Sequence, residues 1–162
     1  MNKTRNLIIY FSVSGNTEKL AHRIQQEIGG TLKQLEPTSE YPKDSYEALS
    51  ERAKKEKDEN ARPEYKDLEI DLDNFDNIFI GYPIWWYTLP MILRRLFDDY
   101  DFSEKKIIPF NTHEGSGDGE TWELIKELEP KANVLEGLAV HGGEVEDFPK
   151  ETLENWLSEL NL

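Results

Sequence analysis

The sequence predicts an α/β fold, a three-layer sandwich in which helices cover both faces of a five-stranded parallel sheet. The first observation is that short apolar runs alternate with segments of helical period along the chain. The second is that the strongest runs are apolar at consecutive positions, which is typical of strands buried on both faces. Strand–helix–strand units of this spacing need right-handed crossovers between parallel strands. Because the chain has 162 residues, we expect residues 1–162 to form a single domain.

The first half of the chain predicts two strands around one helix, followed by a charged segment. Residues 7–11 predict a buried strand and residues 31–35 a weaker one, with a helix between them that Gly29-Gly30 ends. In residues 36–67 the charge is unusually dense, since eight of the ten residues 51–60 are charged. A disordered linker is one interpretation. Tyr46, Leu49 and Ala53 fall on one helical stripe, however, which favours a solvated helix over the sheet edge rather than a partner-docking arm.

The second half of the chain predicts three further strands and three helices. A strong strand covers residues 77–81, and a helix with an apolar stripe follows Pro90. Residues 106–110 predict the next strand, which we expect Pro109 to end early. A helix over 121–128, a strand over 134–140 and a last helix after Pro149 complete the pattern.

The composition limits the chemistry that the chain can perform. It has no cysteine, which excludes disulfides, thiolate nucleophiles, Fe–S clusters and zinc ribbons. Its 33 acidic and 19 basic residues give a formal charge of −14, which is unfavourable for nucleic acid and anionic membranes and favourable for a basic protein surface. No apolar segment suits a signal-peptide core or a membrane span, so we expect a cytoplasmic protein. His113, Glu114 and Asp118 form the only His–acid cluster, and their spacing does not indicate a metal site.

The loop after the first predicted strand, residues 12–17, has the composition of an anion site. It reads Ser-Val-Ser-Gly-Asn-Thr and leads directly into a helix. Hydroxyls, a glycine and a helix N-terminus favour a phosphate, because N–H groups and the helix dipole attract negative charge. The loop lacks the Gly-Lys-Ser/Thr of a Walker loop and the three glycines of a dinucleotide fingerprint. The simpler alternative is that Ser14 or Asn16 only caps the helix, which would stabilise it by about 1 kcal/mol.

Two further loops follow strong strands, and parallel strands bring their carboxyl ends to one edge of the sheet. Residues 82–88 contain Trp85, Trp86 and Tyr87 in succession. Three consecutive rings cannot all point into the core, so we expect at least one to be exposed where a flat aromatic ligand stacks; core packing is the alternative. Residues 111–120 hold three glycines within five positions, which suits either close backbone approach to a ligand or a flexible turn.

Together, the three loops resemble those of the flavodoxin family. Residues 10–17, Tyr-Phe-Ser-Val-Ser-Gly-Asn-Thr, are similar to that family's phosphate-loop signature, Ser/Thr-x-Ser/Thr-Gly-x-Thr after the first strand. Residues 80–87 and 108–117 look like the second and third loops of the flavodoxin-like group that has a Trp-Trp second loop. The resemblance covers essentially the whole chain. It implies the strand order 2-1-3-4-5 and the short-chain layout, because residues 134–140 read as one uninterrupted strand.

The resemblance also implies one non-covalently bound FMN, with its phosphate on the first loop and its isoalloxazine between the other two. No catalytic side chain and no metal ligand are implied. Two features depart from typical flavodoxins: no glycine lies between Tyr82 and Thr88 to help separate the two steps of flavin reduction, and His113 and Glu114 replace small or aromatic residues. The implied cofactor-binding residues are Ser12, Val13, Ser14, Gly15, Asn16, Thr17, Pro83, Ile84, Trp85, Trp86, Tyr87, Thr112, His113, Glu114, Gly115, Ser116, Gly117 and Asp118.

The function that the resemblance implies is electron transfer through FMN, to a redox partner protein with a basic surface or to a small-molecule acceptor. The alternative is an NAD(P)H-dependent FMN oxidoreductase of the quinone-reductase type, although no segment reads as a site for the adenosine phosphate of such a nucleotide. A third interpretation is a binding module that kept the fold and lost FMN. The intact hydroxyls of the first loop disfavour it.

Overall fold

The computed structural model describes residues 5–162, so residues 1–4 of the predicted domain lie outside the described residues. The strands are β1 (Asn6–Tyr10), β2 (Thr31–Gln34), β3 (Asn77–Pro83), β4 (Lys106–His113), β5 (Asn133–Val134) and β6 (Leu138–His141). The α-helices are α1 (Asn16–Ile28), α2 (Tyr46–Asp58), α3 (Met91–Asp99), α4 (Thr121–Leu128) and α5 (Lys150–Glu159). Single 3-10 turns lie at Leu72–Asn74 and Gly142–Glu144.

The sheet is parallel and has the order β2-β1-β3-β4-β5, with β6 also paired to β4. Every residue of β1 is buried, as its continuous apolar run predicted. On one face of the sheet the core includes Leu20 of α1 and Leu153 of α5. On the other face it includes Ile92 of α3 and Ile125 of α4. The predicted three-layer α/β fold and its strand order are therefore confirmed.

The fourth strand is longer than the sequence predicted. The expectation that Pro109 ends it is wrong, since β4 continues to His113 and pairs with β3 as far as Thr112. On the β3 side, the Thr112 carbonyl accepts a hydrogen bond from the Ile84 N–H at 2.9 Å. On the opposite side, the Ile107 carbonyl accepts one from the Leu135 N–H, also at 2.9 Å. The backbone N–H and C=O groups of successive strand residues point alternately to the two neighbouring strands. Pro109, two residues after Ile107, therefore faces the same side as Ile107, towards the fifth position of the sheet. Its missing N–H therefore removes nothing from the β3–β4 ladder.

The fifth position of the sheet holds two short strands, so the expectation of one uninterrupted strand over residues 134–140 is wrong. Residues 135–137 separate β5 from β6 and lie beside Pro109, where no N–H is available to continue the ladder. Gly137 fits this point because a Cβ there would collide with the Pro109 carbonyl and the Trp122 indole. Pairing then resumes, and β6 brings His141 beside His113.

The charged segment forms helix α2, as its apolar stripe predicted. The Ser45 hydroxyl caps the helix by accepting a hydrogen bond from the Ala48 N–H at 3.1 Å. Tyr41 anchors the helix from the preceding loop: its hydroxyl donates to Glu56 at 2.7 Å, and the Arg52 guanidinium lies 3.8 Å from its ring centre. The interpretation of this segment as a disordered linker is therefore wrong.

The described residues contain neither a membrane-spanning helix nor a metal-binding cluster. Within residues 5–162, no helix has both the length and the apolar character needed to cross a membrane. The same residues contain no group of three or more His, Asp or Glu side chains arranged to hold a metal ion.

Candidate cofactor site

A cavity of about 900 Å³ opens at the carboxyl edge of the sheet. Its size is near the upper end of the roughly 300–1,000 Å³ that is usual for small-molecule sites. The predicted residues that line it are Ser14, Asn16, Pro83, Ile84, Trp85, Trp86, Tyr87, Thr112, His113, Glu114, Gly115 and Ser116. Outside the lining are Ser12, Val13, Gly15, Thr17, Gly117 and Asp118. The structure thus brings the three predicted loops together around one space.

The first loop leaves the start of α1 open. The N-cap residue is Gly15, which has no side chain and adopts φ 98°, a conformation that glycine reaches without strain. The Ser12 hydroxyl accepts from the Gly15 N–H at 3.1 Å, and Ser14 makes only a 3.5 Å contact with the Asn16 N–H. Among the described residues, the N–H of Thr17 has no acceptor. Simple capping therefore does not account for this loop, and its free donors with the helix dipole favour an anion.

Thr17 supports the site from behind the cavity. Thr17 is 1% exposed, Thr112 is 4% exposed, and their hydroxyl oxygens are 2.8 Å apart. This hydrogen bond joins the first turn of α1 to the end of β4. Thr17 therefore fixes the position of the first loop relative to the third.

The second loop contains a tight turn with unusual backbone angles. Trp85 and Thr88 exchange two backbone hydrogen bonds of 2.9 and 3.0 Å, and the residues between them, Trp86 and Tyr87, have φ values of 50° and 63°. Glycine or asparagine usually occupies such positions, because a larger side chain costs about 1–2 kcal/mol there. The turn must therefore be stabilised by contacts with the rest of the chain.

Helix α2 supplies those contacts. The Trp86 indole Nε1 donates to the Ser50 carbonyl at 2.8 Å, and the Lys57 ammonium donates to the Trp86 carbonyl at 3.2 Å. The Lys54 ammonium lies 5.9 Å from the centre of the Trp86 ring, within cation–π range. These contacts attach the turn to α2 and hold the Trp86 ring in place.

The aromatic residues of the second loop divide between core and surface. The Trp85 ring is partly buried and makes edge contacts with Phe11 and Tyr41, at centroid distances of 5.3 and 5.2 Å. By contrast, Trp86 is 38% exposed and Tyr87 is 77% exposed. The expectation that at least one ring is exposed is therefore confirmed, whereas Trp85 also has the core role that was the alternative.

Hydrogen bonds from the buried Asn111 and between Gly115 and His113 hold the third loop in place. Asn111 is fully buried, donates to the Gly117 carbonyl at 2.9 Å and accepts from the Trp122 indole at 3.1 Å. The N–H of Gly115 donates to His113 Nδ1 at 2.9 Å, and the φ of Gly115 is 128°. A glycine is required at that backbone angle, so the loop is a defined turn.

Two histidines and one acid stand at the rim where β4 and β6 end. The rings of His113 and His141 are 5.7 Å apart, and His141 Nε2 lies 3.7 Å from a carboxylate oxygen of Glu114. Gly143 donates its N–H to His141 Nδ1 at 3.2 Å, as Gly115 does to His113. Burial and the neighbouring His141 lower the pKa of His113. Since Nδ1 of His113 accepts the Gly115 N–H, the neutral form of this ring carries its proton on Nε2.

The charge of the cavity lining is low. Among the lining residues that the structure describes, Glu114 alone carries a formal charge at neutral pH, and none is Lys or Arg. An anion at the start of α1 would consequently be held by neutral donors and the helix dipole.

One wall of the cavity was not predicted from the sequence. It consists of the α2 residues Tyr46, Leu49, Ser50 and Ala53. The signal was present as the apolar stripe of Tyr46, Leu49 and Ala53. By itself this stripe indicates packing over the sheet edge, because the sequence does not show that the second loop lies against this helix.

The parallel strand order 2-1-3-4-5 with helices on both faces defines a doubly wound α/β fold, in which ligands bind at the carboxyl edge of the sheet. A family model described as Flavodoxin matches residues 5–160. The chain therefore belongs to the flavodoxin family, as the three loops predicted. That its second loop marks a Trp-Trp subgroup stays a prediction.

Solved structures of other proteins share this fold over most of their length. A candidate flavoprotein from Bacteroides eggerthii is 26% identical, with a TM-score of 0.86 over 98% of this chain and 99% of its own. A flavoprotein from Lactobacillus acidophilus, solved in complex with FMN, is 28% identical, with a TM-score of 0.74 over 90% of this chain and 98% of its own. Oxidised Flavodoxin 2 from Bacillus cereus is 21% identical, with a TM-score of 0.58 over 93% and 91%, a likeness of fold alone. A comparison with curated protein sequences found no match.

Proposed function

We propose that this chain binds FMN non-covalently and acts as an electron carrier. The observation that carries the proposal is that one cavity joins the open start of α1 to the aromatic second loop. Membership of the flavodoxin family and the FMN complex of the Lactobacillus acidophilus relative support FMN as the cofactor. Bound FMN would supply the redox chemistry, and the protein would bind and orient it.

The residues of the cavity fit this cofactor. The free N–H groups at the start of α1, with the side chains of Ser14 and Asn16, suit the phosphate. The second and third loops offer flat walls for the ring system. Thr112 joins the third loop to the start of α1, and Asn111 holds the third loop through the Gly117 carbonyl. Acids near the ring, Glu114 above all, would disfavour an added electron and lower the reduction potential of the cofactor.

The charge of the protein supports a docking partner of opposite sign. Residues 114–162 contain 13 acidic and 3 basic residues. We therefore propose a partner protein with a basic surface, or a small-molecule acceptor, and neither nucleic acid nor a membrane surface. Association with a basic partner should slow steeply as salt concentration rises. The proposed location is the cytoplasm.

The alternative, an NAD(P)H-dependent FMN oxidoreductase, receives less support from the cavity. A nicotinamide dinucleotide carries phosphates, and enzymes usually hold these with Arg or Lys or with further helix N-termini. The described cavity lining contains no Lys or Arg, and its open helix start is the one assigned to the FMN phosphate. A carrier is therefore the preferred function.

Anaerobic photoreduction followed by mixing with NADH or NADPH distinguishes the two functions. A carrier should be reduced in two steps whose potentials are separate, although only modestly, since the second loop has no glycine between Tyr82 and Thr88. It should also react slowly with either nucleotide. Rapid reduction of the flavin by NADH or NADPH, with a single two-electron step, would assign the protein to the oxidoreductases.

A further inference from the structure

Three exposed aromatic side chains surround the cavity mouth. Tyr46 is 85% exposed, Tyr87 is 77% exposed and Trp86 is 38% exposed, and no other large hydrophobic side chain of the described residues is exposed. All three line the same cavity, and we call them the aromatic rim. Single exposed apolar residues need no explanation, but a group at one cavity indicates a binding surface.

The aromatic rim includes a wall that the three predicted FMN loops do not contain. Tyr46 belongs to α2, and the turns of α2 that follow it add Leu49 and Ala53 to the cavity lining. The hydrogen bond from the Trp86 indole to the Ser50 carbonyl joins this helix to the second loop. Because the indole donor is already used there, the Trp86 ring can offer a ligand only its apolar surface.

The chemistry of this wall selects a class of ligand. It presents phenol and indole rings with apolar side chains, and the described lining contains no Lys or Arg. The two ammonium groups nearest to it are already engaged, Lys57 by the Trp86 carbonyl and Lys54 by Asp58. Glu114, which also belongs to the lining, would repel an anion. We propose that the aromatic rim binds an uncharged, flat aromatic molecule of the quinone class beside the cofactor. The proposal rests on the proposed function, because bound FMN would form the opposite wall.

Binding can be measured without electron flow, because oxidised FMN does not reduce a quinone. The FMN-loaded protein is titrated with 1,4-naphthoquinone and with its anionic 2-sulfonate, following backbone amide shifts by NMR. The absence of cysteine removes thiol adducts as a complication. We expect the uncharged quinone to shift the amides of Tyr46, Leu49 and Ser50 and to bind more tightly than the sulfonate. A sulfonate that binds equally well, or shifts confined to other surfaces, would overturn the proposal.

Tyr46 offers a clean variant, because it is exposed and lies on the first turn of α2. Tyr46→Ala should raise the Kd for naphthoquinone about two- to tenfold, the range expected for one aromatic contact, and should change the Kd for FMN by a smaller factor. Tyr46→Phe should bind as the wild type does. Glu47→Ala, at the next exposed position of the same helix, is the control for surface changes. An unchanged Kd for naphthoquinone in Tyr46→Ala would overturn the proposal.

Failure of the proposed function is measured separately. If the wild-type protein does not bind FMN, the proposed function is wrong, and the same naphthoquinone titration is made on the FMN-free protein. Shifts at Tyr46 that Tyr46→Ala abolishes would then support the aromatic rim as a binding site by itself. Their absence would overturn it.

Discussion

Replacing Thr17 with valine removes one of the two hydroxyls that join α1 to β4. The two residues are 1% and 4% exposed and their hydroxyl oxygens are 2.8 Å apart, so Thr17→Val leaves the Thr112 hydroxyl buried without this partner. Such a loss should lower the free energy of unfolding by about 1–3 kcal/mol. Thr112→Val should cost a similar amount. The double variant leaves neither hydroxyl unpaired, so its cost should be smaller than the sum of the single costs by about 1 kcal/mol.

The assay is urea unfolding of the FMN-free protein, with the midpoint and slope measured for the wild type and all three variants. Thr152→Val, at an exposed position of α5, is the matched control and should change the free energy of unfolding by less than about 0.5 kcal/mol. Single effects that add within about 0.5 kcal/mol in the double variant would show that the hydroxyls do not interact. In that case the first and third loops are not joined in the way described.

Two further predictions concern the other loops. Trp86→Leu should restore part of the flavin fluorescence in the complex and lower the free energy of unfolding by about 1 kcal/mol, because the hydrogen bond to the Ser50 carbonyl is lost. Trp85→Leu should lower the free energy of unfolding by about 1–3 kcal/mol, because its two edge contacts are lost. Unchanged quenching and affinity in both variants would show that neither tryptophan contacts the flavin. In the folded protein the pKa of His113 lies below its ordinary 6.5. Neutral His113 therefore contributes fully to the free energy of unfolding above pH 6.5, and this contribution is lost as the pH falls from 6.5 through the folded pKa. In His113→Asn the amide oxygen can still accept the Gly115 N–H, so this variant should lose less of its free energy of unfolding than the wild type does between pH 7.5 and 5.5. The control is His22→Asn, at an exposed position, which should behave as the wild type in the same urea unfolding. An equal loss of free energy in both variants would contradict this role of His113.

The regular elements were predictable because burial leaves a simple trace in the sequence. β1 and β3 are apolar at nearly every position since helices cover both faces, and α1 and α3 repeat apolar residues at helical spacing. The three loops were predictable as one site for the same reason: parallel strands must end at one edge. The residue types of those loops then indicated an anion and a flat ring.

The features that were not predicted depend on contacts between distant residues. The side to which Pro109 points decides whether it ends β4 or interrupts its neighbour, and the sequence alone does not fix that side. Similarly, the stripe of α2 would suit any apolar surface. Only the bond between Ser50 and Trp86, which are far apart in the chain, shows that α2 forms a wall of the cavity.

We propose that the open start of α1 holds the phosphate of FMN. Titration of the FMN-free protein with FMN and with riboflavin, which lacks the phosphate, tests it most directly. Two hydrogen bonds from α1 to a charged phosphate contribute about 3 kcal/mol, so FMN should bind about a hundredfold more tightly than riboflavin. Inorganic phosphate should weaken FMN binding and leave riboflavin binding unchanged. Equal affinities for the two flavins would show that the start of α1 does not bind the phosphate of FMN.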